Sequence, residues 1–326
     1  MKDFVIFRHP GEEKVMAFEG SWVEQAFTIE KDTFWIRPFN DTSSILHLDG
    51  ATAIDWEQLH IQTSAVFEEE IPDGPDVFIP YVEDVLSTIS LGTLKKAVPA
   101  RRSFLKHASY SIADIFTENL KRNPNAFCYL LSSSVHGLWL GASPETFFDF
   151  ENGRGRTVAL AGTRFREGDD SFSKKEFEEQ DIVSTYIENI LKRHSSEVTI
   201  GSPISVQAAH LDHLKSMISC EMPDSILPEV IQALHPTPAV GGFPRLDALA
   251  LIQKNENFSR ILYSGWLGQT TNGTLKSYVN LRCAQLFNNG MLCYAGCGVN
   301  QGSIPKKEFE ETESKMQVMQ RLLKKD

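Results

Sequence analysis

Apolar residues return along this chain at two spacings, and the switches between them mark out its elements. Helical spacing is clearest over residues 174–194 (KKEFEEQDIVSTYIENILKRH), where Phe177, Ile182, Tyr186 or Ile187, and Ile190 fall near one face. Further helices are predicted over YVEDVLSTISLG (81–92), ending at a glycine, from Ser111 to about Asn123, over SILPEVIQAL (225–234) and over PRLDALALIQKN (244–255). The C-terminal stretch PKKEFEETESKMQVMQRLLKK (305–325) completes the set, with Pro305 suited to a first turn, where no backbone N–H is needed. Strand-like runs lie between them: LKKAVPARRSF (94–104) as a short extended segment, then AFCYLLSS, GLWLGAS, ETFFDFEN and RTVALAG within 126–162, and EVTIG and SVQAAHL within 197–211. ILYSGWLG (261–268) opens a meander. KSYVNLRCAQLF (276–287) and MLCYAGCGV (291–299), joined through Asn288-Asn289-Gly290, read as a hairpin.

Strand groups interleaved with helices and adjacent antiparallel hairpins favour an α+β fold over a doubly wound parallel sheet. Prolines, acids and a glycine interrupt the periodicity between Glu68 and Pro80. That interruption divides the chain into residues 1–80, a strand-rich N-terminal part of the same fold, and 81–326, the main body.

Composition narrows the function classes. Charged residues make up 23% of the 326 and hydrophobic residues 41%, the balance of a chain able to bury a core. Against 32 Lys and Arg stand 43 Asp and Glu, a net charge of −11, so a broad phosphate-binding surface for nucleic acid is not expected. No apolar run is long enough to span a membrane, and the charged N-terminus does not read as a signal peptide. Five scattered cysteines form neither a CxxC pair nor an even framework, which fits reduced thiols and a cytoplasmic setting. No phosphate-binding loop, dinucleotide fingerprint, HExxH or GxSxG motif occurs. His210 and His213 are three apart in a strand-like stretch and read as structural or solvent-facing.

Candidate chemistry rests on two acid-rich helices, one holding Glu176, Glu178, Glu179 and Asp181, the other Glu308, Glu310, Glu311 and Glu313. Taken alone, both read as solvated faces, with Glu311 and Lys315 a modest i,i+4 surface pair. Glycines at strand ends in GASPE (141–145), LAGTR (160–164) and YAGCG (294–298) would let backbone N–H groups approach a small anion. Arg282, read as lying in a strand, would offer a planar guanidinium to a carboxylate. One carboxylate-bearing ligand, with Mg²⁺ between it and two glutamates, would use all these parts.

In this order the segments LKKAVPAR, LGASPE, ALAGTR, KKEFEEQDIV, LDHL, LHPTPAVGGFP, LYSGWLG, VNLRCAQL, YAGCGVNQGS and EFEETESK resemble the chorismate-binding family of isochorismate, salicylate, anthranilate and aminodeoxychorismate synthases. The resemblance covers roughly residues 80–323 and is weaker before them. It implies large antiparallel-rich β-sheets in a sandwich surrounded by helices. It also implies Mg²⁺ held by Glu179 and Glu311, and chorismate held by Gly162, Thr163, Ala239, Tyr263, Arg282, Gly296 and Lys315. Two departures stand out: Gln180 where many relatives have His, and Ser264-Gly265-Trp266 where a glycine-proline sequence is commoner.

Within the family the resemblance points to isochorismate synthase, in menaquinone or siderophore biosynthesis, with Lys96 as base for water and Glu145 as acid for the departing hydroxyl. Lys96 stands where anthranilate synthases usually have Gln. Ala161 stands where aminodeoxychorismate synthases carry a nucleophilic Lys, and Ala239 where ammonia-using and lyase members tend to have Thr. A base role requires Lys96 to lose its proton near neutrality, through burial or through Lys95, Arg101 or the metal nearby; Glu145 needs a raised pKa. The alternatives are a salicylate synthase, a degenerate chorismate-binding protein, and a simple divalent-cation store, which would leave Arg282 and the LAGT turn without a role. No glutamine amidotransferase subunit is expected, and the chain is read as a monomer or weak dimer.

Overall fold

Most strands of this protein bury both faces, and that sets its layering. In Asp3–Arg8, Phe4 and Ile6 face one way, Val5 and Phe7 the other, and all four are buried. The structure is a computed structural model and describes residues 2–40, 44–107, 110–165, 171–195, 197–208 and 211–323. Sixteen of the strands among these residues form one sheet in which neighbouring strands run antiparallel. One half carries Glu197–Ile200, Ile204–Ala208, Leu211–Glu221, Arg154–Phe165, Thr146–Glu151, Thr274–Val279 and Trp266–Thr271. The other carries Asp3–Arg8, Phe127–Ser133, Gly137–Ser143, Cys283–Phe287, Gly290–Gly296 and Ala100–Lys106. The N-terminal strands Thr33–Arg37, Leu46–Ala53 and Met16–Glu24 join the halves through continuous hydrogen bonding.

The halves pack face to face on a shared interior. Phe34, Ile36, Leu267 and Tyr278 from one side meet Val5, Phe127, Trp139 and Leu292 from the other. The Phe127 and Tyr278 rings stack with centroids 4.3 Å apart. The expected sandwich is therefore made from one sheet rather than two. Six helices enclose it among the described residues: α1 (Pro75–Ser90), α2 (Ile112–Arg122), α3 (Lys174–His194), α4 (Leu227–Leu234), α5 (Arg245–Asn255) and α6 (Pro305–Gln320). Helices α3 and α4 cover the outer face of the first half, burying Val183, Ile187, Val230 and Ile231 against Phe148 and Trp266. Helices α2 and α6 cover the second, burying Phe116 and Met316 against Leu130 and Ala284. A three-stranded sheet of Gly242–Phe243, Lys96–Ala97 and Val299–Asn300 sits beside α1, with Lys96 on its middle strand.

Helix α3 has the predicted bounds, and α2 begins after Ser111, whose hydroxyl accepts from the Asp114 N–H at 3.2 Å. Helix α1 starts earlier than its apolar pattern, because Pro75 supplies a first turn that needs no N–H partner; Pro80 lies inside it. Leu211–Glu221, a long strand, has no counterpart among the predicted elements: Asp212, His213, Lys215 and Ser216 break its apolar alternation. All five cysteines are unpaired and buried. No helix among the described residues is long and apolar enough to cross a membrane.

Candidate active site

Segments far apart in sequence end at one cleft. Glu145 enters it from the loop between Gly137–Ser143 and Thr146–Glu151, Arg282 from the turn after Val279, and Gly296 from the end of its strand. Thr163, Ala239 and Tyr263 line it as well, and α3 and α6 add Glu179 and Lys315. Lys96, Gly162 and Glu311 stand just behind these walls: Lys96 against Glu179, Gly162 under the first turn of α3, and Glu311 against Lys315.

The acidic helices are not plain solvated faces. On each, one stripe turns inward, so that Glu179 is buried while Glu178 is exposed, and Glu308 and Glu311 are buried while Glu310 is exposed. The i,i+4 pair is likewise interior: Lys315 Nζ lies 2.6 Å from Glu311 Oε1 and donates to the Gly296 carbonyl at 2.8 Å. Glu308, absent from the predicted site, accepts from Lys175 at 2.8 Å. Burial first, then the charge of Glu311, pushes its carboxyl up to about 7 against the pull of Lys175. Its signal in the sequence was the spacing of three from Glu311 on one helical face.

Lys96 is 0% exposed, and its Nζ lies 2.9 Å from Glu179 Oε1 in an ion pair outside hydrogen-bonding geometry. Lys95 and Arg101, expected to crowd it, point elsewhere. Lys95 sits over the Phe243 ring, and Arg101 pairs with Asp73 and Glu313 and donates to the Thr312 hydroxyl. The group held against Lys96 is thus a carboxylate. Gly298 makes that approach possible, since a Cβ there would stand 2.0 Å from Glu179 Oε1 and 3.1 Å from Lys96 Cε. Gly298→Ala is expected to destabilise the protein by about 1–3 kcal/mol in denaturant titration, the usual cost of overpacking. An unchanged midpoint would mean that the pair yields without cost.

Glu145 is buried, and desolvation raises its carboxyl to about 7 although Lys96, Lys315, Arg282 and Lys215 all draw it down. Arg282 is not in a strand: the chain turns through Asn280-Leu281-Arg282, and Arg282 takes a left-handed φ of 47°. Asn280 pins that turn, accepting from Tyr129 Oη at 2.7 Å and donating to the Leu262 carbonyl at 2.9 Å. Gly162 (φ 72°) sits at a bulge between Ala161 and Thr163, and a Cβ there would meet the Glu176 carbonyl at 2.6 Å. Ala161 packs into the core with α3.

Two further contributors went unrecognised in the sequence. His213 lines the cleft, 3.0 Å from Thr163 Oγ1, and burial with Arg282 and Lys315 nearby holds it neutral, well below the usual imidazole range. His210 lies outside the described residues. Arg260 and Glu256, a buried i,i+4 pair, brace the floor: Arg260 donates to the Val98 and Val240 carbonyls at 2.6 and 3.0 Å, and Glu256 accepts from the Ala100 N–H at 3.0 Å. Among the described residues no three His, Cys, Asp or Glu side chains are grouped to hold a metal ion by themselves.

A family model described as chorismate binding enzyme matches residues 40–324. The chain is similar to the isochorismate synthase MenF of Pasteurella multocida, 31% identical over 263 residues, which are 76% of this chain and 61% of the relative. It is also similar to the salicylate biosynthesis isochorismate synthase of Pseudomonas aeruginosa, 32% identical over 74% of this chain and 53% of the relative. It thus spans less than two thirds of the length of these curated relatives. Among solved structures, MenF, the menaquinone-specific isochorismate synthase from Escherichia coli, superposes with a TM-score of 0.81 over 99% of this chain and 89% of that one; at 20% identity the likeness is one of fold.

Proposed function

The chain belongs to the chorismate binding enzymes, and from that premise we propose that it is a Mg²⁺-dependent isochorismate synthase, adding water at C2 of chorismate as the C4 hydroxyl leaves. The observation that carries this reading is a carboxylic acid on the cleft wall with an amine just behind it: Glu145, whose carboxyl keeps its proton to about pH 7, and Lys96, fully buried and close enough to draw that carboxyl down. Lys96 takes a proton from the attacking water, and Glu145 gives one to the departing hydroxyl, so atoms and charge balance over the turnover. Water as nucleophile calls for no ammonia-supplying subunit.

Other residues bind. Arg282 offers its guanidinium to a substrate carboxylate, and Tyr263, whose phenol burial keeps protonated, is available to donate beside Gly296. Thr163, fixed by His213, and Lys315, fixed by the Gly296 carbonyl, complete the polar wall. Glu179 and Glu311 are hard oxygen donors suited to Mg²⁺, and Glu308, raised by burial and then by the charge of Glu311, stands one turn from Glu311 on α6. When bound, Mg²⁺ supplies positive charge against a substrate carboxylate.

Incubation with chorismate and Mg²⁺, followed by separation of products, tests the reading. Isochorismate alone supports it, salicylate plus pyruvate would reassign the chain to salicylate synthase, and no product would leave a binding protein. The acid role adds a pH dependence. Glu145 works only protonated, so kcat/KM is expected to fall about tenfold per unit as pH rises beyond about 7. The dianionic substrate disfavours its carboxylate further, so the kcat limb should lie at higher pH than the kcat/KM limb. A kcat/KM profile flat from pH 6 to 9 would remove Glu145 from the acid role.

A further inference from the structure

Strand Arg154–Phe165 pairs along its length with Leu211–Glu221 on one side, but on the other Thr146–Glu151 meets only Arg154, Gly155 and Arg156. The ladder with Leu211–Glu221 slips at the bulge between Ala161 and Thr163, and buried peptide groups at such a slip need partners from outside the sheet. Gln180 of α3, 3% exposed, supplies them. Its Oε1 accepts from the Ala161 N–H at 3.0 Å, while its Nε2 donates to the Ala159 carbonyl at 2.9 Å and to Ser216 Oγ at 3.1 Å.

We propose that Gln180 is a positioning residue whose carboxamide completes the hydrogen bonding at this bulge, locking the Ala161-Gly162-Thr163 turn to the helix that carries Glu179. The argument is one of donor and acceptor count. Ala159 and Ala161 present a carbonyl and an N–H on the same edge, and only an amide side chain of this length meets both at once while reaching Ser216. A second contact works toward the same end: Gly162 lies so close under Glu176 that the turn and the first turns of α3 move together. Thr163 and Glu179, which reach the cleft on either side of this clamp, are thereby held at a fixed separation. The family resemblance puts His here in many relatives; a neutral imidazole offers one donor and one acceptor on opposite edges of its ring and cannot span this pair in the same way.

The inference rests on the chorismate reading only for its kinetic arm. Without substrate, Gln180→Met, similar in length and lacking the polar atoms, is expected to speed exchange of the Ala161 amide by about tenfold, with amides at the far end of the strand unchanged. Gln180→Glu keeps the acceptor and should leave Ala161 protected, and it carries the test alone if the Met variant fails to fold. With chorismate, both variants should raise KM about fivefold or more and change kcat by less than about twofold, since Thr163 and Glu179 bind rather than react. Wild-type exchange at Ala161 in the Met variant, rapid exchange in the Glu variant, or a loss confined to kcat would each overturn the proposal. A wild-type protein that leaves chorismate unchanged would sink the functional reading while the exchange data still decide the role of Gln180.

Discussion

Lys96→Ala is expected to lower kcat for isochorismate formation by about 10³-fold, inside the range seen when a general base is removed, while chorismate binding stays measurable by calorimetry. The amine is fully buried, so its loss cannot be replaced by bulk solvent at the same position. It also leaves Glu179 without its ion-pair partner, and a buried carboxylate stripped of its cation destabilises a fold by about 3–5 kcal/mol. Lys96→Gln is therefore the better control, because it fills the space and can still donate to Glu179. Both variants should be inactive, and Lys96→Gln should keep more of the thermal stability. Near-wild-type turnover in either one would end the base assignment, whatever the stability data say.

Lys96 also marks where sequence stops informing on chemistry. Its motif was legible, and so was its place on a short extended segment, but its neighbours were not. Lys95 is adjacent in sequence yet points to Phe243, because successive strand residues face opposite ways. Glu179 lies far along the chain and is the actual partner. Apolar periodicity located α3 to the residue because Val183, Ile187, Ile190 and Leu191 make most of its buried stripe hydrophobic, and it failed at Leu211–Glu221, where His213 on one face and Ser216 on the other are both buried. A strand that helps build a polar cleft loses the very pattern by which strands are recognised. Arg282 was misplaced for a related reason: VNLRC has strand composition, but Asn280 pins it into a turn through partners at positions 129 and 262 that no local window contains. The two acidic helices show the limit most plainly. Neighbouring glutamates are equivalent as letters, and only the packing of α3 and α6 decides that 179, 308 and 311 face inward.

Among those three, Glu311→Gln separates charge from shape. The amide keeps an acceptor for Lys315, which also remains anchored on the Gly296 carbonyl, so α6 should stay docked and thermal stability should change little. What is lost is one negative charge where the metal is proposed to sit. The concentration of Mg²⁺ giving half-maximal activity is then expected to rise by at least about tenfold, and saturating kcat to fall by about 10²-fold or more, with weaker Mg²⁺ binding measurable by calorimetry without substrate. The Glu308 carboxyl offers a second readout. Part of its elevation to about 7 comes from the charge of Glu311, so neutralising Glu311 should lower it, visible as a downfield carboxyl carbon resonance that titrates at lower pH. Equal activity with and without added metal in the wild type would dispose of the metal altogether. If Glu308→Gln, and not Glu311→Gln, shifts the Mg²⁺ dependence, the ligand on α6 is the residue one turn earlier, and the charge of Glu311 serves to hold Lys315 against the Gly296 carbonyl at the cleft wall.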